Sequence, residues 1–233
     1  MGKVIADLAT SAASATFAVE NATSSVDYVL SGTDGSANDH LKTDGSGNLA
    51  WVAPPAGFTD IQKIQEVVAS GDTSINFDNT KITSTYSIYE IRYFNVVPAT
   101  DNVYLRMRFS DDNGSNFDSN HDGSVYISYS GSSSGLSEDA AGASDSDSYQ
   151  SLAAQLSFDA GDGVGGIVTI QNPLSTSFMT TYQGHSSHLT YHGYQYLTGI
   201  GGYWDSLAAV NYIRFNMDSG NIATGTFQLW GYV

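Results

Sequence analysis

One stretch, residues 87–109 with the sequence SIYEIRYFNVVPATDNVYLRMRF, constrains the fold more than any other part of the chain. Side chains on both sides of Pro98 alternate with a period of two. Since successive side chains of a strand point to opposite faces, the stretch predicts two strands with one buried face each. Proline cannot donate a hydrogen bond to a neighbouring strand, and the residues PATDN at 98–102 are typical of a loop. The stretch therefore predicts an antiparallel hairpin, with Arg92, Arg106 and Arg108 on its outer faces.

The overall composition predicts a folded, acidic chain that is rich in strands. Its 24 acidic and 8 basic residues give a net charge of −16, which repels phosphate backbones, so we expect no nucleic-acid partner. A hydrophobic content of 41%, with 15 Tyr and 10 Phe, is too high for a disordered chain. The chain has no cysteine, which excludes disulfides and thiolate metal ligands. We expect no signal peptide and no membrane insertion, because no segment approaches the roughly 18 apolar residues of a membrane span.

The chain divides by composition into an N-terminal arm and a larger domain. Residues 2–30 are rich in Ala, Ser and Thr and have too few apolar positions to order alone, so we expect them to gain order from other chains. The segment DHLKTDGSGNLAWV at 39–52 predicts a small hairpin, and APPAG at 53–57 predicts a stiff linker. We therefore expect an extended arm at 1–56 and a globular domain at 57–233.

The second part of the chain contains about eleven segments with strand character. They lie near residues 61–68, 74–77, 86–97, 103–109, 124–129, 153–158, 166–170, 176–182, 188–196, 211–216 and 224–232. The first of them also fits one face of a short helix, although a strand is favoured. Residues 130–150 are acidic and of low complexity, which predicts an exposed loop. Short strands separated by polar loops predict an all-β fold, an antiparallel two-sheet sandwich of the jelly-roll kind.

Three clusters of side chains are candidates for binding. The loop SDDNGSNFDSNHDG at 110–123 contains oxygen ligands of the type Ca²⁺ prefers, but such residues also form plain turns, and both interpretations stay open. The segment GHSSHLTYHG predicts either exposed loop histidines or, around a symmetry axis, a shared metal site. Aromatic residues near 191–204 fit the core, a subunit interface or a glycan-binding surface. The calcium candidates are Asp111, Asp112, Asp118 and Asp122, and the ligand or interface candidates are Tyr191, Tyr194, Tyr196, Tyr203 and Trp204.

The N-terminal organisation resembles that of bacteriophage tail-fibre and related virion appendage proteins. In that family L-x-T-D-G-x-G-x-L-x-W is a recurrent turn-and-strand element, and the segment LKTDGSGNLAW at 41–51 matches it before a Pro-Pro linker and a β domain. The segments YEIRYFNVVPATDNVYLRMRFSDDNGSNFD and IRFNMDSGNIATGTFQLWGYV also resemble a β domain of phage structural proteins.

The resemblance implies a virion structural protein that is assembled in the host cytoplasm, a homotrimeric fibre subunit that contributes to host-surface attachment. Residues 1–56 would bind other virion proteins, while residues 191–204 and 227–233 would form the subunit interface. The alternatives are a lectin-like glycan-binding module and a fibre or decoration protein attached to the capsid. We expect no enzyme activity and no cofactor other than the weak calcium candidate, because the catalytic sequence motifs G-x-S-x-G, the P-loop and H-E-x-x-H are missing.

Overall fold

The structure, a computed structural model, describes residues 16–21, 24–29, 35–46, 48–53, 60–117, 120–131, 135–141 and 148–233. The chain divides into two compact units, Met1–Thr59 and Asp60–Val233. The second unit thus begins at residue 60, where the sequence predicted 57. Every regular element in the described ranges is a strand, and all strand pairs are antiparallel, which confirms the all-β fold class.

The first unit contains two separate antiparallel strand pairs. Strand β1 (Thr16–Asn21) pairs with β2 (Ser24–Val29), and β3 (His40–Thr43) pairs with β4 (Leu49–Val52). The pairing of β1 with β2 gives part of the arm a local partner within its own chain, although the sequence predicted order from other chains.

The second unit consists of two sheets. The larger sheet has eight strands, in the spatial order β10 (Gly135–Ala141), β9 (His121–Gly131), β14 (Gln195–Trp204), β13 (Thr181–Leu189), β12 (Val164–Gln171), β7 (Ile88–Pro98), β16 (Ile222–Tyr232) and β5 (Ile61–Asp72). The smaller sheet has four, in the order β11 (Gln150–Leu156), β8 (Val103–Ser110), β15 (Tyr212–Met217) and β6 (Ile75–Phe77).

Eight of these strands have the order of a jelly roll. The neighbours β5, β16, β7 and β12 lie in the large sheet, and β6, β15, β8 and β11 form the small one. Lettered B to I along the chain, with β9, β10, β13 and β14 left out, the two sheets read BIDG and CHEF, the order of two Greek keys in a jelly roll. The four remaining strands are two insertions, and they extend the large sheet beyond β12.

The hairpin predicted for residues 87–109 is wrong. Strand β7 belongs to the large sheet and β8 to the small one, so the loop between them crosses from one sheet to the other. A hairpin would place both buried faces on one sheet, whereas here Tyr93 of β7 and Met107 of β8 line the same core from opposite sides. Asn102, with a φ of 57°, ends the loop in the left-handed conformation that asparagine tolerates.

Aromatic side chains from both sheets interlock in the core. The ring of Phe215 in the small sheet lies 5.3 Å from that of Phe227 and 6.5 Å from that of Tyr93, both in the large sheet. Phe109 of the small sheet meets Tyr182 at 5.5 Å and Trp204 at 6.0 Å, edge to face in both cases. These contacts form between the facing sheets, as in a sandwich.

Several predicted strand limits need correction in the inserted part of the domain. Strands were predicted at 176–182 and 188–196, and both limits are wrong. The strands are β13 and β14, and the turn between them lies at 190–194. Strand β14 runs on to Trp204 and includes Gly199, Gly201 and Gly202, beyond the limit of 196 predicted from the sequence. Within 130–150, predicted to be a loop, Gly135–Ala141 forms strand β10, which pairs with β9.

Candidate functional site

The hairpin of β13 and β14 ends in a tight turn. Its backbone closes through hydrogen bonds from Thr190 N to Tyr194 O at 2.8 Å and from Gly193 N to Thr190 O at 2.7 Å. The hydroxyl oxygen of Thr190 also accepts a hydrogen bond from Tyr194 N at 3.1 Å. Gly193 has a φ of 77°, which favours glycine, so the sequence TYHGY fixes a short connection at this end of the sheet.

Aromatic rings surround this turn. The rings of Tyr191 and His192 lie 3.7 Å apart, and His192 lies 6.0 Å from Tyr194. His192 is exposed, and the two tyrosines are partly exposed. We call the side chains of Tyr191, His192 and Tyr194 the aromatic tip. Rings presented at the end of a hairpin can stack on the apolar face of a sugar ring or on another protein surface.

The rest of the domain holds the aromatic tip in place. The Tyr191 N–H donates to Gln155 O at 3.0 Å, and the Tyr196 hydroxyl donates to the Gln155 side-chain oxygen at 3.2 Å. The edge-to-face contact of Tyr196 with His188, at 5.6 Å, continues the cluster down the hairpin. The aromatic tip is therefore anchored to the C-terminal end of strand β11 as well as to its own hairpin.

The five aromatic candidates from the sequence do not form one surface. Tyr191, Tyr194 and Tyr196 lie at or beside the tip, whereas Trp204 ends the same strand eight residues after Tyr196, about 26 Å away for an extended strand. Trp204 is 0% exposed and belongs to the core of its own chain. Its assignment to a ligand or subunit surface is therefore wrong. Tyr203, which neighbours Trp204, is partly buried on the opposite face of the strand.

The two histidines of β13 point in opposite directions. His185 is exposed, whereas His188 is 5% exposed, so the interpretation as exposed loop residues fails for His188. His188 Nε2 lies 2.8 Å from Ala154 O, and because a carbonyl oxygen only accepts, Nε2 carries the proton. Burial lowers the pKa of His188. Its imidazole is therefore neutral at pH 7 and serves as a hydrogen-bond donor in the core.

His188 is one of three side chains of β13 that reach the edge of the small sheet. An exposed strand edge presents unpaired backbone groups, which attract unwanted partners. The contacts are Tyr182 Oη to Gln150 Oε1 at 2.9 Å, Ser186 Oγ to Leu152 O at 2.7 Å and His188 Nε2 to Ala154 O at 2.8 Å. The insertion that carries the aromatic tip thus also covers the edge strand β11. The sequence shows the alternation of these residues but not their partners.

Asp112 organises the acidic loop that follows β8. Its carboxylate accepts hydrogen bonds from Asn116 N at 2.9 Å, the Asn116 side-chain amide at 2.6 Å and the Ser110 hydroxyl at 2.7 Å. These bonds, the largest effect being that of the Asn116 backbone, lower the pKa of Asp112 to about 2. Asp111 O accepts a bond from the Asn211 amide at 2.7 Å. This geometry is that of a self-bonded turn.

Two of the four calcium candidates have no described side chain. Asp118 lies outside the described residues, as does the side chain of Asp122, which is placed by its backbone in β9. In the described part of the chain no group of three or more His, Asp or Glu side chains has the arrangement of a metal site.

The turn of the small N-terminal hairpin depends on Asp44. Its carboxylate accepts bonds from Ser46 N at 2.7 Å and from Asn48 N at 3.1 Å, and the Asn48 side-chain amide donates to it at 2.6 Å. These bonds, above all the one from the Asn48 side chain, lower the pKa of Asp44. Gly45 has a φ of 81° and donates to the Thr43 hydroxyl at 3.1 Å. The Thr-Asp-Gly part of the motif is therefore a turn-forming unit.

No protein-family model, curated protein or solved structure matches this chain. No helix long and apolar enough to span a membrane occurs in the described ranges.

The C-terminal strand, another candidate for the subunit interface, lies inside the large sheet. Strand β16 is flanked by β7 and β5 and turns Phe227 and Leu229 into the core. Trp230 and Tyr232 remain partly exposed on the outer face, where the guanidinium of Arg92 lies 4.8 Å from the Trp230 ring. Only this outer face of the strand is available to a second subunit.

Proposed function

We propose that this chain is a structural subunit of a bacteriophage tail fibre or a related virion appendage. In this proposal the protein is a homotrimer, residues 1–56 attach it to other virion proteins, and the jelly-roll domain is distal and contributes to host-surface attachment. The protein has no catalytic role and needs no metal or other cofactor.

The jelly-roll strand order is the observation that carries the proposal. Jelly rolls occur in viral capsid proteins and in lectins, so the fold supports a virion role. The additional support is the separate N-terminal unit with the turn-and-strand motif. Its Asp44–Gly45 turn gives a physical reason for the residues shared with fibre proteins.

The oligomeric mass tests this proposal. We expect the full chain, with a monomer mass of 24.7 kDa, to form a trimer in native mass spectrometry and light scattering. The buried core cluster lies wholly within Asp60–Val233, so a chain that begins at residue 60 should still fold. Because it lacks residues 1–56, it should bind the other virion proteins less tightly than the full chain does. A full chain that stays monomeric at micromolar concentration would contradict the fibre proposal.

A lectin-like glycan-binding module is the second candidate, and the aromatic tip favours it. Tyr191 and Tyr194 present rings at the end of the hairpin, and the next residue in the chain, Gln195, is exposed and carries an amide side chain. Stacking on sugars and hydrogen bonds from amides together recognise saccharides. This function is compatible with the first, since a fibre subunit can carry its own binding surface.

Binding of purified protein to host cells tests the second candidate. The double substitution Tyr191→Ala and Tyr194→Ala should abolish it without changing the thermal midpoint by more than a few degrees. The matched control is Phe178→Ala, which removes an aromatic ring that is 70% exposed in another loop. Equal binding by the double variant and the control would refute a role for the tip.

A further inference from the structure

Three of the chain's four arginines share the outer face of the small sheet. Leu105, Met107 and Phe109 of β8 point into the core, so Arg106 and Arg108 point outward. Arg214 of β15 lies directly opposite Arg108 in the strand pairing. We call the side chains of Arg106, Arg108 and Arg214 the arginine face.

This concentration of positive charge is not neutralised by the described residues. Among the acidic side chains that the structure describes, only Asp218 pairs with the arginine face, at 3.7 Å from Arg106. Like charges directly opposite each other destabilise a sheet. Burial, with the charges of Arg106 and Arg214, lowers the pKa of Arg108. A cluster that costs stability in this way needs a reason other than folding.

Neighbouring rings fix the orientation of the two outer guanidinium groups. Arg106 lies 3.9 Å above the Tyr149 ring, and Arg214 lies 4.1 Å above that of Phe117. Arg214 Nε also donates to the side-chain oxygen of Asn76 at 2.9 Å. Stacked guanidinium groups lose less entropy when they bind a ligand than free side chains do.

Unsatisfied polar atoms cluster at the same place. Arg106 Nε and Arg108 Nε are buried without an acceptor, and Ser151 Oγ and Asn216 Oδ1 are buried without a partner. Ser151 and Asn216 are the cross-strand neighbours of Arg106 on its two sides. Such groups are rare in folded proteins, and an ordered water or a ligand is a common reason for them.

We propose that the arginine face binds the carboxylate of a small acidic sugar. Guanidinium groups recognise carboxylates through paired hydrogen bonds, and this supplies the acceptors that the two Nε atoms lack. Asn216 Oδ1 needs a donor, which a bare carboxylate does not have but a sugar hydroxyl does. A net charge of −16 repels long polyanions, so the site suits a single acidic residue rather than a nucleic acid.

The proposal goes beyond the structural role proposed above and does not depend on it, since it concerns the isolated full-length protein. The test is calorimetric titration with glucuronate, together with ¹H–¹⁵N spectra of the arginine Nε–H groups. We expect saturable binding that shifts the resonances of Arg106 and Arg108. Glucose, which lacks the carboxylate, should not bind, and acetate, which lacks the hydroxyls, should bind more weakly.

The substitution Arg108→Gln should weaken glucuronate binding by about tenfold or more, the effect of losing a charge-assisted hydrogen bond. Arg108→Lys keeps the charge without the planar fork and should give an intermediate loss, which covers the case in which the first variant fails to fold. Arg92→Gln is the matched control, because Arg92 lies on the other sheet and pairs with Glu90 at 2.6 Å.

Three results would overturn the proposal. One is the absence of glucuronate binding, which would mean that water alone satisfies the site. Another is equal affinity for glucuronate, acetate and sulfate, which would mean a general anion site. The third is an equal loss of binding in the Arg92 and Arg108 variants. A monomeric protein that still binds glucuronate would contradict the trimer but leave this inference intact.

Discussion

Replacement of Trp204 by alanine should destabilise the domain itself. The side chain is 0% exposed, and its ring contacts Phe109 edge to face at 6.0 Å. Burial of about 200 Å² of aromatic surface at about 25 cal/mol/Å² contributes about 5 kcal/mol as an upper value. Substitutions of buried Trp by Ala cost about 3–5 kcal/mol. We therefore expect a loss of about 4 kcal/mol, a large part of the roughly 5–15 kcal/mol of a typical domain.

Urea unfolding followed by far-UV circular dichroism measures this loss. For a domain of this size about 4 kcal/mol corresponds to a fall in the midpoint of thermal unfolding on the order of 10 °C. Leu197→Ala is the matched control, since Leu197 lies in the same strand but is 53% exposed, and it should change stability by less than about 0.5 kcal/mol. A loss below about 1 kcal/mol for Trp204→Ala would refute the placement of this ring in the core.

Three further predictions concern backbone contact and pH. Gly184→Ala should lower the unfolding midpoint by several degrees, because the added Cβ would overlap a carbonyl oxygen of β12, whereas Gly201→Ala meets open space and should be neutral. The pKa of Asp112 is lowered to about 2, so the ionised carboxylate stabilises the folded state fully above about pH 4, and this contribution is lost as the pH falls through 2. Asp112→Asn should therefore reduce the change in the midpoint of thermal unfolding between about pH 5 and about pH 2.5. The pKa of His188 is lowered by burial, so the unfolded state takes up the proton first and stability falls as the pH falls below about 6.5, the ordinary pKa of histidine. His188→Gln should flatten that part of the midpoint–pH curve, and His185→Gln, on the exposed face, should not.

The period-two pattern in the sequence predicted strands and buried faces, but not the sheet to which a strand belongs. Arg92 and Arg108 were correctly placed on outer faces, and their neighbours Tyr93 and Met107 line the core. Their order along the chain suggested a hairpin, because adjacent strands usually pair. Strands β7 and β8 instead belong to different sheets. The alternation of residues within one strand shows which face is buried but does not show which strand pairs with it.

A missed turn is the other error in the fold. Residues 188–196 were predicted to be one strand, yet they contain the turn between β13 and β14, and β14 begins only at Gln195. The turn lies at Gly193, where a φ of 77° favours glycine. The residues that flank Gly193 have strand character, so the pattern predicted a continuous strand where the positive φ of one glycine interrupts it.

The candidate sites differ in how far the sequence could reach them. Tyr191 and Tyr194 lie close together in the chain, so the aromatic tip was visible as a cluster. Trp204 lies in the same cluster by sequence, but an extended strand carries it to the other end of the domain. The arginine face was predicted only in part: the alternation placed Arg106 and Arg108 on an outer face, but Arg214 meets Arg108 through the pairing of β15 with β8, which the sequence does not show.

The two insertions and the jelly roll support each other. In the order of the large sheet β10 pairs with β9, β9 with β14, β14 with β13, and β13 with β12 of the jelly roll, so the pairing of the extension depends on the jelly roll beside it. The dependence also runs the other way, because β13 covers the edge of β11 with Tyr182, Ser186 and His188. The turn of the β13–β14 hairpin, which carries the aromatic tip, takes part in this coverage through its backbone, since Tyr191 N donates to Gln155 O of β11. Because that hydrogen bond comes from the backbone, the side chains of the tip can be replaced to suit a binding partner without losing it, while the strands that hold the turn in place are constrained by the core.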